Sequence, residues 1–153
     1  MCIYFGEMSS PDPFDIWLPL ARAYKSILDT VESALKQAGL PSLDWYDLLR
    51  ELDSAAEAGL RPYELQEKLL LPQYGVSRLV ERLAKAGLLD RRTCDGDGRG
   101  QILVITPEGA AMRTRIWAVY SDAMQQAVGS RFSPGEAQRL ADLLGRLLRP
   151  ARS

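Results

Sequence analysis

Between Pro13 and about Ala38 the apolar residues fall at Trp17, Leu20, Ala21, Tyr24, Ile27, Leu28, Val31 and Leu35. Steps of three and four along one stripe predict an amphipathic helix. Pro19 lacks an N–H, so it belongs in a first turn or at a kink, which leaves the start of that helix open. Gly39 and Pro41 close the segment, and Ser42 is placed to cap a second helix over 43–59. Pro62 opens a short third helix over 62–70, with Glu64 where an anion suits the helix dipole. Pro72 opens a fourth, and Gly87 is a natural stop for it. The period then changes. Residues 88–94 and 99–106 suit two short antiparallel strands joined by the turn "DGDG" at 95–98. Thr106 and Pro107 restart a helix that runs to about Gly129. Ser133 and Glu136 form a capping box ahead of a last helix striped with Leu140, Leu143, Leu144, Leu147 and Leu148.

The fourth helix has two unlike faces. On a wheel, Val76, Leu79, Val80, Leu83 and Ala86 share one stripe, Tyr74, Arg78, Glu81 and Lys85 point away from it, and Ser77 and Arg82 flank it. A short helix, a brief turn and an amphipathic helix with a basic outer face form a helix-turn-helix pattern. A hairpin directly after it makes the predicted architecture a winged helix: mainly α, with a small β-hairpin wing. A helix that reads a major groove needs one face to anchor it and another bearing hydrogen-bonding side chains. Arg78 could fork onto guanine and Gln73 onto adenine, while Ser77 and Tyr74 could reach phosphate or base. Glu81 is discordant, and pairing with Lys85 one turn on is the reading favoured for it. Arg99, at the hairpin tip, suits a narrow minor groove, and Asp97 could brace its guanidinium.

Composition enters as a test of that pattern. The chain has 153 residues, room for one domain, and a net charge of −1, which by itself counts against nucleic acid. Between residues 72 and 99, however, six basic residues face four acidic ones, so positive charge gathers where the pattern needs it. There is no histidine, which removes the commonest general base and metal ligand. With no phosphate-binding glycine loop and no metal-spaced cluster either, no enzyme, no metal and no cofactor is expected. Two cysteines are too few for a disulfide framework, and nothing resembles a membrane span or a secretory leader, so the cytoplasm is the expected compartment.

The stretch "LVERLAKAGLLDRRTCDGDGRGQILVITPEG", residues 79–109, resembles the signature of the MarR (multiple antibiotic resistance regulator) family of winged helix-turn-helix transcription factors. The resemblance rests on Leu79, Arg82, Leu83, Gly87, Leu88 and Arg91, then Asp97 and Arg99 in the wing, and Thr106 and Gly109 after it. Ile105 stands where the family usually has leucine. It implies a single domain over residues 1–153. A DNA-binding lobe covers about 42–106, and dimerisation helices cover about 13–39 and 107–150. It also implies a homodimer, clasped through N- and C-terminal helices, that reads double-stranded DNA at a pseudo-palindromic operator as a repressor released by a ligand. The helix over 72–87 then enters the major groove and the wing over 90–105 the minor groove. By residue, the resemblance puts DNA contacts at Gln73, Tyr74, Ser77, Arg78, Arg82 and Arg99. The entry "LPQYGVS" departs from the Ser/Thr-rich entry of many relatives, so no operator sequence carries over.

Some residues keep two readings open. Trp17, Tyr24, Trp45, Tyr46, Trp117 and Tyr120 fall on helices that, in the family, surround a pocket for small aromatic or phenolic ligands; ordinary core is the reading favoured for most of them. Cys94 sits beside two arginines and Cys2 near the N-terminus; either is a weak candidate for redox sensing, and an incidental cysteine is the favoured reading. Two alternative functions remain: a winged-helix protein–protein interaction module that binds no DNA, and a cysteine-based redox-sensing regulator of the same fold.

Overall fold

The computed structural model describes residues 12–69, 73–93 and 100–149. Helix α1 spans Pro13–Gln37, capped by Asp12, whose carboxylate accepts from the Phe14 N–H at 3.0 Å. Pro19 therefore lies inside the helix, past its first turn, rather than at its start. Helix α2 spans Leu43–Ala55. Ser42 holds the N-cap position but does not cap with its side chain: its hydroxyl donates to the Asp44 carboxylate, and the Leu43 N–H donates to Glu32 of α1 at 2.9 Å.

The second helix stops earlier than its sequence pattern suggests. A 3-10 turn, Ala56–Ala58, follows Ala55, with Ala56 at φ +50° and Gly59 at φ +64°. The next backbone pairing explains the break. Leu60 exchanges hydrogen bonds with Leu103 of the hairpin at 2.8 and 2.9 Å, so the chain must leave the helix to lie along a strand. A side chain at Gly59 would meet Ile102, the Leu103 carbonyl and Val104, and only glycine fits that approach.

Helix α3 is short, Pro62–Lys68, with the Arg61 N–H donating to Glu64 at 2.7 Å. Helix α4 spans Gln73–Lys85 and ends ahead of Gly87 at φ +75°. Strands β1 (Leu89–Thr93) and β2 (Gln101–Ile105) pair antiparallel, Leu89 opposite Ile105 and Thr93 opposite Gln101. Thr106 joins the hairpin to the next helix in two ways: its hydroxyl donates to the Gly87 carbonyl at 2.7 Å and accepts from the Gly109 N–H at 3.0 Å. Helix α5 spans Pro107–Ala127, followed by a 3-10 turn, Gly129–Arg131. Helix α6 spans Pro134–Leu147, with the capping box of Ser133 and Glu136 formed in both directions, at 2.9 and 3.4 Å.

Two apolar clusters divide the buried residues. One joins α2, α3, α4 and the hairpin through Leu48, Leu49, Leu52, Leu65, Leu79, Leu83, Leu89 and Leu103. The other joins α1, α2 and α5 through Val31, Leu35, Tyr46, Ile116 and Ala123. Trp45 and Met112 touch both. No residue of α6 is buried: Leu140, Leu143 and Leu147 are exposed, as are Phe14, Ile16, Trp17 and Leu18 of α1. Among the described residues no helix is long and apolar enough to cross a membrane.

Candidate nucleic-acid interface

Helix α4 is held by one face. Val76, Leu79, Val80 and Leu83 are buried against α2, α3 and the hairpin, while Ser77, Arg78, Glu81, Arg82 and Lys85 are exposed. The predicted stripe is correct except at its end. Ala86 is exposed, and Ala84 is the alanine that packs on the core, because the helix ends at Lys85 and Ala86 falls in the turn to β1. Glu81 and Lys85 form no ion pair, a departure from expectation that leaves both side chains in solvent. Arg78 and Arg82 likewise have no carboxylate within ion-pair distance among the described residues. Gln73 and Tyr74 open the helix, but their side chains lie outside the described structure. So do Pro72, Cys2, Cys94 and both wing residues, Asp97 and Arg99.

The hairpin places two adjacent arginines, Arg91 and Arg92, on opposite faces. Side chains alternate along a strand, so Leu89 and Arg91 share one face and Asp90 and Arg92 the other. Arg92 turns toward the 3-10 turn and pairs with Glu57 at 3.4 Å. Arg91 instead stands beside Ser77 and Val80 of α4. Arg92 thus makes an intraprotein contact, and Arg91 is left on the side of the exposed α4 face. The signal was available in the alternation of "LDRRT", once the register that buries Leu89 is known.

Of the six aromatic residues singled out in the sequence, three come together. Tyr46 stacks on Trp117 with ring centroids 5.8 Å apart, and Tyr120 meets both edge-on at 5.3 and 5.7 Å. Trp45 is part of the core between the two clusters. Trp17 and Tyr24 do not join the group; they lie on the exposed side of α1. One carboxylate, Asp47, acts on the aromatic trio. Burial raises the Asp47 carboxyl above its usual range, partly offset by Arg50 and reinforced by Asp44, Glu51 and Glu32. Burial also raises the Tyr120 phenol, with Asp47 adding to the effect. Arg113 of α5 reaches Asp53 of α2 at 2.8 Å and links the two helices. Among the described residues no group of His, Cys, Asp and Glu could hold a metal ion.

Two helices meeting at a turn, a third with one anchored and one solvent-facing side, and a hairpin next to it define a winged helix-turn-helix. Residues 38–100 match the model of the MarR family. The chain superposes on Sco3205, a MarR family transcriptional regulator from Streptomyces coelicolor solved in complex with DNA. That match has a TM-score of 0.80 and 25% identity, and covers 96% of this chain and 94% of the other. Mutant MarR from E. coli, complexed with operator DNA, matches at TM-score 0.75 and 22% identity over 91% of this chain and all of its own. CouR from Rhodococcus jostii, bound to p-coumaroyl-CoA, matches at 0.74 and 23% over 95% and 99%. No curated protein is significantly similar in sequence. The resemblance read from residues 79–109 agrees with both findings: the family model matches the helix-turn-helix and the start of the hairpin, and the fold is that of solved MarR family regulators.

Proposed function

We propose that this chain is a sequence-specific, double-stranded DNA-binding transcriptional regulator of the MarR family, and not an enzyme. It acts in the cytoplasm as a homodimeric repressor released by a small aromatic or phenolic ligand. The observation that carries this reading is the division of α4. Four residues fix it to the lobe, and Ser77, Arg78 and Arg82 project from the other side beside the wing. Solved relatives of this fold carry DNA. In this arrangement α4 lies in a major groove, with Gln73, Tyr74, Ser77, Arg78 and Arg82 as its contacts. The wing, with Arg99 braced by Asp97, lies in the adjacent minor groove.

The dimer reading rests on the exposed apolar residues of α1 and α6. Phe14, Ile16, Trp17 and Leu18 on α1, and Leu140, Leu143 and Leu147 on α6, are large apolar side chains left exposed in a single chain, which a partner copy would cover. The stacked Tyr46, Trp117 and Tyr120 lie where α2 of the DNA-binding lobe meets α5. A ligand there would act on the joint between lobe and dimer base, as suits a regulator of the same fold as CouR.

A shift assay on the DNA upstream of the protein's own gene tests the reading. Arg78→Ala should cost about 1–3 kcal/mol and relax preference at one base position. Arg99→Ala should weaken binding with little change in preference. Wild-type affinity in both variants would put α4 and the wing away from the grooves. No duplex binding even at low salt, where counterion release is strongest, would instead leave the fold as an interaction module.

A further inference from the structure

A groove of about 480 Å³ runs between the start of α3, the exposed flank of α4 and the inner face of the hairpin. Arg61, Tyr63, Gln66, Ser77, Arg91 and Gln101 line it, and among the described residues no carboxylate does. Two guanidinium groups therefore share one concave strip on a chain whose overall charge is negative. Both arginines are exposed and, among the described residues, neither is in an ion pair, whereas Arg92 on the outer strand face pairs with Glu57. Arg61 is also fixed at its backbone: its N–H donates to Glu64, and Pro62 follows it in the first position of α3.

The geometry of a duplex gives this groove an occupant. One sugar–phosphate strand separates each major groove from the next minor groove. If α4 fills the first and the hairpin the second, that dividing strand must cross the space between them, which is this groove. We infer that Arg61 and Arg91 form a phosphate seat for the dividing DNA strand, with the hydroxyl of Ser77 and the side chains of Tyr63 and Gln101 as neutral donors. The inference rests on the DNA-binding reading above and adds to it. The seat fixes the register of the lobe on the duplex and reads no base, because phosphate is the same at every step.

Salt dependence distinguishes such a seat from base readout. Each phosphate contact contributes about 0.9 to the slope of log affinity against log salt on B-form DNA. Arg61→Gln with Arg91→Gln removes two contacts from each lobe and should lower the slope for the two-lobed dimer by about 3.6. It should also weaken binding to the upstream duplex and to an unrelated duplex of equal length by the same factor. Replacing both with lysine should restore most of the slope, and Arg92→Gln should leave it unchanged. Each single glutamine variant, expected to lower the slope for the dimer by about 1.8, keeps the test decisive if the double variant melts early. An unaltered slope, while Arg78→Ala still weakens binding, overturns the seat and leaves the regulator reading intact. Loss confined to the upstream duplex overturns it too, since that would mean bases are being read. Failure of the unmodified protein to bind any duplex at low salt would remove both readings together.

Discussion

If α4 is anchored by one face and reads DNA with the other, two substitutions five residues apart should have opposite consequences. Leu83 is completely buried in the cluster that joins α2, α3, α4 and the hairpin. Leu83→Ala removes a branched side chain from a packed site and leaves a cavity, a change that costs about 2–5 kcal/mol in comparable cores. At roughly 2–4 °C per kcal/mol for a chain of this size, the melting temperature should fall by about 5–20 °C. Arg78 is exposed and has no ion-pair partner among the described residues, so Arg78→Ala should leave the melting temperature within about 2 °C of wild type. Its cost appears only with DNA: about 1–3 kcal/mol, or roughly a 5- to 150-fold loss of affinity. Thermal melts of the free protein, paired with fluorescence anisotropy on a labelled upstream duplex, read both effects. A melting temperature unchanged by Leu83→Ala but lowered by Arg78→Ala would mean that the helix is turned the other way. The assignment of its faces would then be wrong.

Three further predictions follow from contacts elsewhere in the chain. Gly109→Ala places a methyl group against the Leu88 carbonyl and should destabilise by about 1–3 kcal/mol, whereas Gly135→Ala at the start of α6 meets nothing within 4 Å and should be neutral or slightly stabilising by chemical denaturation. Burial holds the Asp47 carboxyl above its usual range, so its ionisation costs stability at neutral pH; that cost disappears as pH falls through the folded value toward the unfolded one near 4. Asp47→Asn should accordingly raise the melting temperature at pH 7 and give no gain below about pH 4, and an equal gain at both pH values would refute the titration argument. Leu143→Asp with Leu147→Asp places charge on the exposed leucine stripe and should yield monomers by analytical ultracentrifugation; an intact dimer would remove α6 from the interface.

Much of the fold could be read from hydrophobic spacing and punctuation. The order of helices, the change to strand periodicity after Gly87, the cap at Thr106 and the box at Ser133 all follow from local chemistry, and the structure contains them. What failed to show in the sequence was decided by contacts distant along the chain. The early end of α2 depends on Leu60 pairing with Leu103, more than forty residues away, and residues 56–59 carry no local sign of it. Ser42 looked like a cap, but its hydroxyl donates to Asp44 and accepts from no helix N–H, and Glu32 of α1 accepts from the Leu43 N–H instead.

The candidate site was legible in the same uneven way. The exposed side of α4 followed directly from its wheel, since burying Val76, Leu79, Val80 and Leu83 leaves Arg78 and Arg82 no other direction. Arg91 and Arg92 could not be told apart without the register that buries Leu89. Arg61 and Tyr63, at the head of α3, carried no recognisable motif; their relation to α4 and the hairpin exists only once the three elements are folded together. Among the aromatics, the sequence grouped six by their helices and could not tell that Tyr46, Trp117 and Tyr120 pack together while Trp17 and Tyr24 lie on a helix face that nothing in a single chain covers.

The central claim is that two copies of this chain set paired recognition helices on one duplex, and hydroxyl-radical footprinting of the upstream DNA tests it most directly. The predicted result is two symmetry-related patches of protected sugar, centred about 10 base pairs apart, that disappear together in Arg78→Ala. A single unpaired patch, or protection unaffected by Arg78→Ala, would contradict it.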